Sequence, residues 1–135
     1  MKLLIDANIL LDVLQNREPF VKESSVIWKL CETGKADGFV SSLTFANLVY
    51  IMRKELDPAT IEDVLQKLGL IFRFTDLKAA DITDAAKLHR EDFEDAVQSV
   101  TAMRIGADYI ITRNIRDFSK SKVTAFTPAE LIARI

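Results

Sequence analysis

The sequence predicts an α/β fold, a three-layer α/β/α sandwich with a central parallel sheet, in a single domain spanning residues 1–135. Three observations predict it. Short apolar or β-branched runs are separated by longer stretches of helical period, in the order β-α-β-α-α-β-α-α-β-β-α, and strands joined through helices run parallel. The first run, Leu3, Leu4 and Ile5, is continuously apolar rather than alternating, as expected of an interior strand covered on both faces. Finally, 135 residues, 49% of them hydrophobic, are enough for one domain with its own core.

Lys2 to Ile5 form the first strand, which ends at Asp6, and Asn8 to Leu14 continue as a helix. Val26, Ile27 and Leu30 give Glu23 to Glu32 a helical face, and Gly34 stops it. Gly38 to Ser41 supply the second strand. Ser42 or Thr44 caps the next helix, whose buried side carries Phe45, Leu48, Val49, Ile51 and Met52. Asp57 before Pro58 starts a helix that ends near Gly69, because proline at the first helical position loses no needed hydrogen bond. Leu70 to Phe74 form the third strand, and Thr75 or Asp76 caps a helix through Ala79, Ala80, Ile82, Ala85, Ala86 and Leu88. Helical period resumes from Phe93 to Met103, Gly106 stops it, and Tyr109 to Thr112 form a strand that breaks into the polar turn Arg113 to Asp117. Val123 to Phe126 make the last strand, and Thr127-Pro128 open a terminal helix with Leu131 and Ile132 facing in.

The composition excludes several classes. The apolar runs are too short to cross a bilayer, and the N-terminus lacks the features of a secretory signal, so a cytoplasmic protein with no membrane partner is expected. Cys31 is the lone cysteine and reads as a packing residue in a reducing compartment. Eighteen Lys and Arg against twenty Asp and Glu give a net charge of −2, so any nucleic-acid contact must be local. The local candidates are Arg104, Arg113, Arg116, Lys120 and Lys122.

The chemistry centres on carboxylates. Asp6 follows the first strand, Asp92 and Asp95 lie in the first turn of a helix, and Asp117 follows a strand. Strand ends and helix starts share one rim of an open parallel sheet, the rim where ligands bind. Asp92 is the expected N-cap, and Asp12 is expected to cap or to pair with a neighbour. Unpaired buried charges cost several kcal/mol. Convergence of Asp6, Asp95 and Asp117 therefore implies a divalent cation, Mg²⁺ or Mn²⁺ by its oxygen-only ligands, set against a phosphodiester. With one histidine, His89, and one cysteine, a dedicated zinc site is disfavoured. Arg113 and Arg116 are expected to flank the acidic pocket and to contact phosphates, because carboxylates alone repel nucleic acid.

MKLLIDANILLDVL, SSLTFANLVYIM and DFEDAVQSVTAMRIGADYIITRNIRDF together resemble the PIN domain, the metal-dependent ribonuclease fold that includes VapC-like toxins. The resemblance covers nearly the whole chain and is most specific in its last block. It implies endonucleolytic cleavage of an RNA substrate with Mg²⁺ or Mn²⁺, a homodimer, and a cognate antitoxin partner of a type II toxin-antitoxin pair. Carried over by position, Asp6 is the first acidic residue and Asp95 the third. At the fourth, Asn114 stands where many members have aspartate, with Asp117 nearby. At the second, where many members have glutamate, this chain has Asn47. The catalytic and metal set is thus Asp6, Asp95 and Asp117, bordered by Asn47, Asn114 and Asp92.

Two other readings remain in view. Asn47 removes one charge, which suits a catalytically weak or inactive PIN-like module that binds RNA or a protein partner. Phosphoryl transfer through Asp6 as nucleophile calls for a second carboxylate two residues on, where this chain has Asn8.

Overall fold

A computed structural model describes residues 1–135. Five strands form one parallel sheet in the order β3-β2-β1-β4-β5, with β1 at Lys2–Ile5, β2 at Asp37–Ser41, β3 at Arg73–Thr75, β4 at Tyr109–Ile111 and β5 at Ala125–Phe126. Strand one is central, as its unbroken apolar run predicts, and Leu3, Leu4 and Ile5 are fully buried. The helices are α1 (Ala7–Leu14), α2 (Val21–Glu32), α3 (Ser42–Met52), α4 (Pro58–Ile71), α5 (Ala79–Ala86), α6 (Phe93–Arg104) and α7 (Pro128–Arg134), with a single 3-10 turn at Ile115–Phe118.

Alternation along β1 divides the core. Leu3 and Ile5 join Ile9, Ile27, Leu48, Leu68, Ile111 and Leu131 on one face, under α1, α2, α3, α4 and α7. Leu4 and Ile110 point the other way, packing with Ala102 of α6 and Phe118. Ala85 of α5 packs on Ala96, Val97 and Val100 of α6. The result is the α/β/α sandwich expected from the element order.

The caps follow the sequence signals. Asp57 accepts from the Thr60 amide ahead of Pro58, and Thr127 and Glu130 form a reciprocal box around Pro128. Gly106 ends α6 at φ +70°, a conformation costly to any residue with a Cβ. Three boundaries differ from expectation. Ser41, not Ser42 or Thr44, caps α3. Helix α4 runs through Gly69 to Ile71, which shortens β3, and α5 begins late because Lys78, not Thr75 or Asp76, stands at its start. Cys31 is buried and its thiol is pushed up to about 12 by that burial, with the Asp37 charge adding, so no thiolate forms near neutral pH.

Chain direction sets the site. From β1 the chain first builds outward through β2 and β3, then returns to the other side of β1 with β4 and β5. The crevice of a parallel sheet opens at this reversal, beyond the C-terminal ends of β1 and β4.

Candidate functional site

Asp6 occupies that crevice. Its backbone amide continues the sheet by donating to Ile111 O at 2.9 Å. Its side chain then caps α1, Oδ1 accepting from the Ala7 amide at 2.7 Å, while Oδ2 accepts from Thr112 Oγ1 at 2.8 Å. Asn8 Nδ2 and Gln98 Nε2 approach the two oxygens at 3.5 Å each. Gln98 makes its shorter bond, 2.9 Å, to Thr44 Oγ1. Despite these donors, burial raises the Asp6 carboxyl above its ordinary value, and the Asp117 charge adds to the rise.

The second group of carboxylates arrives on the first turn of α6. Asp92 is the N-cap, as expected, accepting from the Asp95 amide at 3.1 Å. Asp95 is pushed up to about 7, first by burial and then by the charges of Asp92, Asp6, Asp117 and Glu94. Asp6 and Asp95 therefore lie on one rim, within each other's field. Asp117 reaches the same field from the 3-10 turn, where it is exposed. Asn114 precedes that turn, its amide donating to Thr112 Oγ1 at 3.0 Å, with its side chain exposed.

Glu94 belongs to this group, although the sequence alone does not single it out. It is partly buried, it accepts a hydrogen bond from the Asn47 side chain, and its carboxyl is raised by burial and by the charges of Asp6 and Asp92. The signal available is the adjacent acidic pair Glu94-Asp95 in one helical turn, followed by Gln98 four residues after Glu94 on the same helix face.

The side chains do not form a ready cage. No group of three His, Cys, Asp or Glu side chains is placed to hold one ion. Asp6, Asp95 and Asp117 come within electrostatic reach but stop short of the common coordination shell expected for them, because carboxylates turn to their own donors, Asp6 to Thr112 and Glu94 to Asn47. The donor chemistry itself fits a hard divalent cation: the converging groups are oxygen ligands, and their mutual repulsion is what such a charge relieves. Beside them, Gln98 is 2% exposed and its Oε1 has no hydrogen-bond partner.

The basic residues separate into two kinds. Arg113 is expected from sequence to hold phosphate, but its Nε donates to Asp12 Oδ2 at 2.9 Å and its guanidinium lies 4.0 Å from the centre of the Phe20 ring. Asp12 is fully buried, so neutralising it is the first task of Arg113. Arg104 is likewise committed, gripping Asp81 through Nε at 2.8 Å. Arg116 is exposed beside Asp117, as expected of a phosphate contact, and lines an open cleft of about 440 Å³ with His89, Arg90, Asp92 and Lys120.

Comparison with known proteins places this geometry. A search of curated proteins found no match. Among solved structures, VapBC-1 from nontypeable Haemophilus influenzae is similar over 96% of this chain and 99% of that one, at 14% identity and a TM-score of 0.73. VapBC2 from Rickettsia felis, bound to a DNA fragment of its promoter, is similar over 94% and 98%, at 15% identity and a TM-score of 0.68. Mycobacterium tuberculosis VapC20, a sarcin-ricin loop cleaving toxin, is similar over 80% and 86%, at 11% identity and a TM-score of 0.64. Identities this low establish the shared fold. The sequence profile of the PIN domain matches residues 2–116. Because that match takes in β1 to β4 and every acidic residue of the rim except Asp117, the chain belongs to the PIN domain family.

Proposed function

We propose that this PIN domain is a metal-dependent endoribonuclease, the toxin of a type II toxin-antitoxin pair. The observation that carries the reading is the mutual field of Asp6 and Asp95 across the sheet reversal, which raises the carboxyls of both. Charges this costly to gather are characteristic of functional sites. Asp6, Asp95 and Asp117 would hold Mg²⁺ or Mn²⁺, which when bound supplies an activated water and a counter-charge for the phosphodiester. Thr112 and the Ala7 amide fix Asp6 for that task. Arg116 and Lys120, free along the cleft, hold the RNA backbone while Asp92 stays with its helix. An antitoxin partner and a homodimer accord with the toxin-antitoxin complexes that share the fold. The deciding experiment is cleavage of a mixed RNA pool with and without Mg²⁺ or Mn²⁺. Wild type cuts and Asp6→Asn, which retains a capping side chain, does not; equal cutting by both removes Asp6 from the chemistry.

A second reading, a PIN domain that binds RNA or a protein without cutting, is favoured by Asn47 and by carboxylates that stand short of a common shell. RNA binding with no cleavage at any metal concentration selects it.

A further inference from the structure

We propose that Glu94 is a fourth carboxylate of the cation site and that Asn47 is the arm that positions it. The proposal rests on the nuclease reading above and names how its acidic set is completed.

The geometry is a pair of rungs between α3 and α6. Gln98 and Thr44 form the first, at 2.9 Å, and Glu94 and Asn47 form the second. Glu94 and Gln98 are four residues apart on α6, Thr44 and Asn47 three apart on α3, so each pair lies along one side of its helix. Asp6 adjoins both rungs: Gln98 Nε2 approaches its Oδ1 at 3.5 Å, and its charge acts on Glu94.

An acidic residue in a first helical turn is ordinarily explained by the macrodipole, and such a residue stands free in solvent. Glu94 differs on both counts that matter, being partly buried and tied to a side chain of another helix. One Asn47 N–H satisfies one carboxylate oxygen and leaves the other to bind a cation. The uncharged Asn47 then follows from its job, since a glutamate there would face Glu94 as a like charge. Gln98, almost wholly buried with Oε1 unpartnered, marks the same place as one where a polar ligand is wanted.

The test is Mn²⁺ affinity by calorimetry, with no RNA present, on wild type, Asp6→Asn, Glu94→Gln and the double variant Glu94→Gln/Asn47→Glu. Glu94→Gln weakens Mn²⁺ binding roughly ten-fold, as removal of a ligand charge from a hard-cation site does. The double variant returns one carboxylate to the pair and recovers most of the loss, which separates a ligand from a residue that merely supports the fold. Wild-type affinity in Glu94→Gln, with affinity lost in Asp6→Asn, overturns the role of Glu94 and leaves the nuclease reading standing. A double variant as weak as Glu94→Gln also overturns it, marking Glu94 as structural. No Mn²⁺ binding by wild type overturns the nuclease reading and this proposal together.

Discussion

Arg113 donates through Nε to Asp12 Oδ2 at 2.9 Å across 101 residues of sequence, and Ser24 Oγ donates to the same oxygen at 2.8 Å. The pair ties the end of β4 to α1 and α2. Removing the cation leaves a buried charge with only a hydroxyl for company, so Arg113→Ala destabilises the fold by about 3 kcal/mol. Arg113→Lys, which keeps the charge but loses the planar stack on Phe20, costs less. Urea unfolding of the two variants beside wild type measures both, and an Arg113→Ala midpoint equal to wild type refutes the role.

Asp95 gives the fold a pH dependence of known sign. Its carboxyl is pushed from 3.8 up to about 7 by burial and by Asp92, Asp6, Asp117 and Glu94, so the folded chain holds this proton more tightly than the unfolded chain. Stability from this group is then greatest at low pH and falls as pH climbs from about 4 to 7. Asp95→Asn removes the fall and is more stable than wild type above pH 7 by on the order of 1 kcal/mol, after allowance for solvent screening of a partly exposed group. At pH 4 the two are nearly equal. Thermal unfolding in chelator at pH 4, 6 and 8 follows the difference.

Arg116 and Lys120 carry the RNA backbone in the proposed function. In the Asp6→Asn background, replacing both by alanine weakens binding of a single-stranded RNA and lowers the slope of log affinity against log salt by about 1.4, roughly 0.7 for each phosphate no longer neutralised. Filter binding across a KCl series reads the slope. A slope unchanged from the Asp6→Asn parent excludes both residues from the RNA path.

Gly38 sits in β2 where a Cβ would come 2.6 Å from Cys31 Sγ and 2.8 Å from Phe72 Cδ1. Gly38→Ala overpacks this seam and costs about 2 kcal/mol. Adding Cys31→Ala removes the closer clash and returns part of the loss. Denaturant midpoints of the single and double variants measure the coupling.

What the sequence made legible was local. Strand one announced itself by three consecutive apolar residues, and Asp57-Pro58, Thr127-Pro128 and Asp92 marked helix starts through rules that act within one turn. Gly69 misled because its helix penalty, about 1 kcal/mol, is outweighed where α4 buries Leu68 and the Phe74 ring packs 3.6 Å from the position of a Cβ. At the site, Asp6 and Asp95 were legible because chain topology alone brings strand ends and helix starts to one rim. Arg113 and Glu94 were not. Their partners, Asp12 and Asn47, lie on other elements, and nothing near Arg113 or Glu94 in sequence reveals a buried acid or an amide across the gap.

The bond from Thr112 to Asp6 joins residues 106 apart, and β1 pairs with β4 to make it. Synthesis proceeds from the N-terminus, so Asp6 leaves the ribosome early and waits for a partner made near the end. Until Thr112 and Asp117 emerge, β1 lacks its second neighbour and the rim lacks a hydroxyl and a carboxylate. A chain still attached to its ribosome is thus held back from attacking RNA, its own messenger included, by the order in which its residues are made.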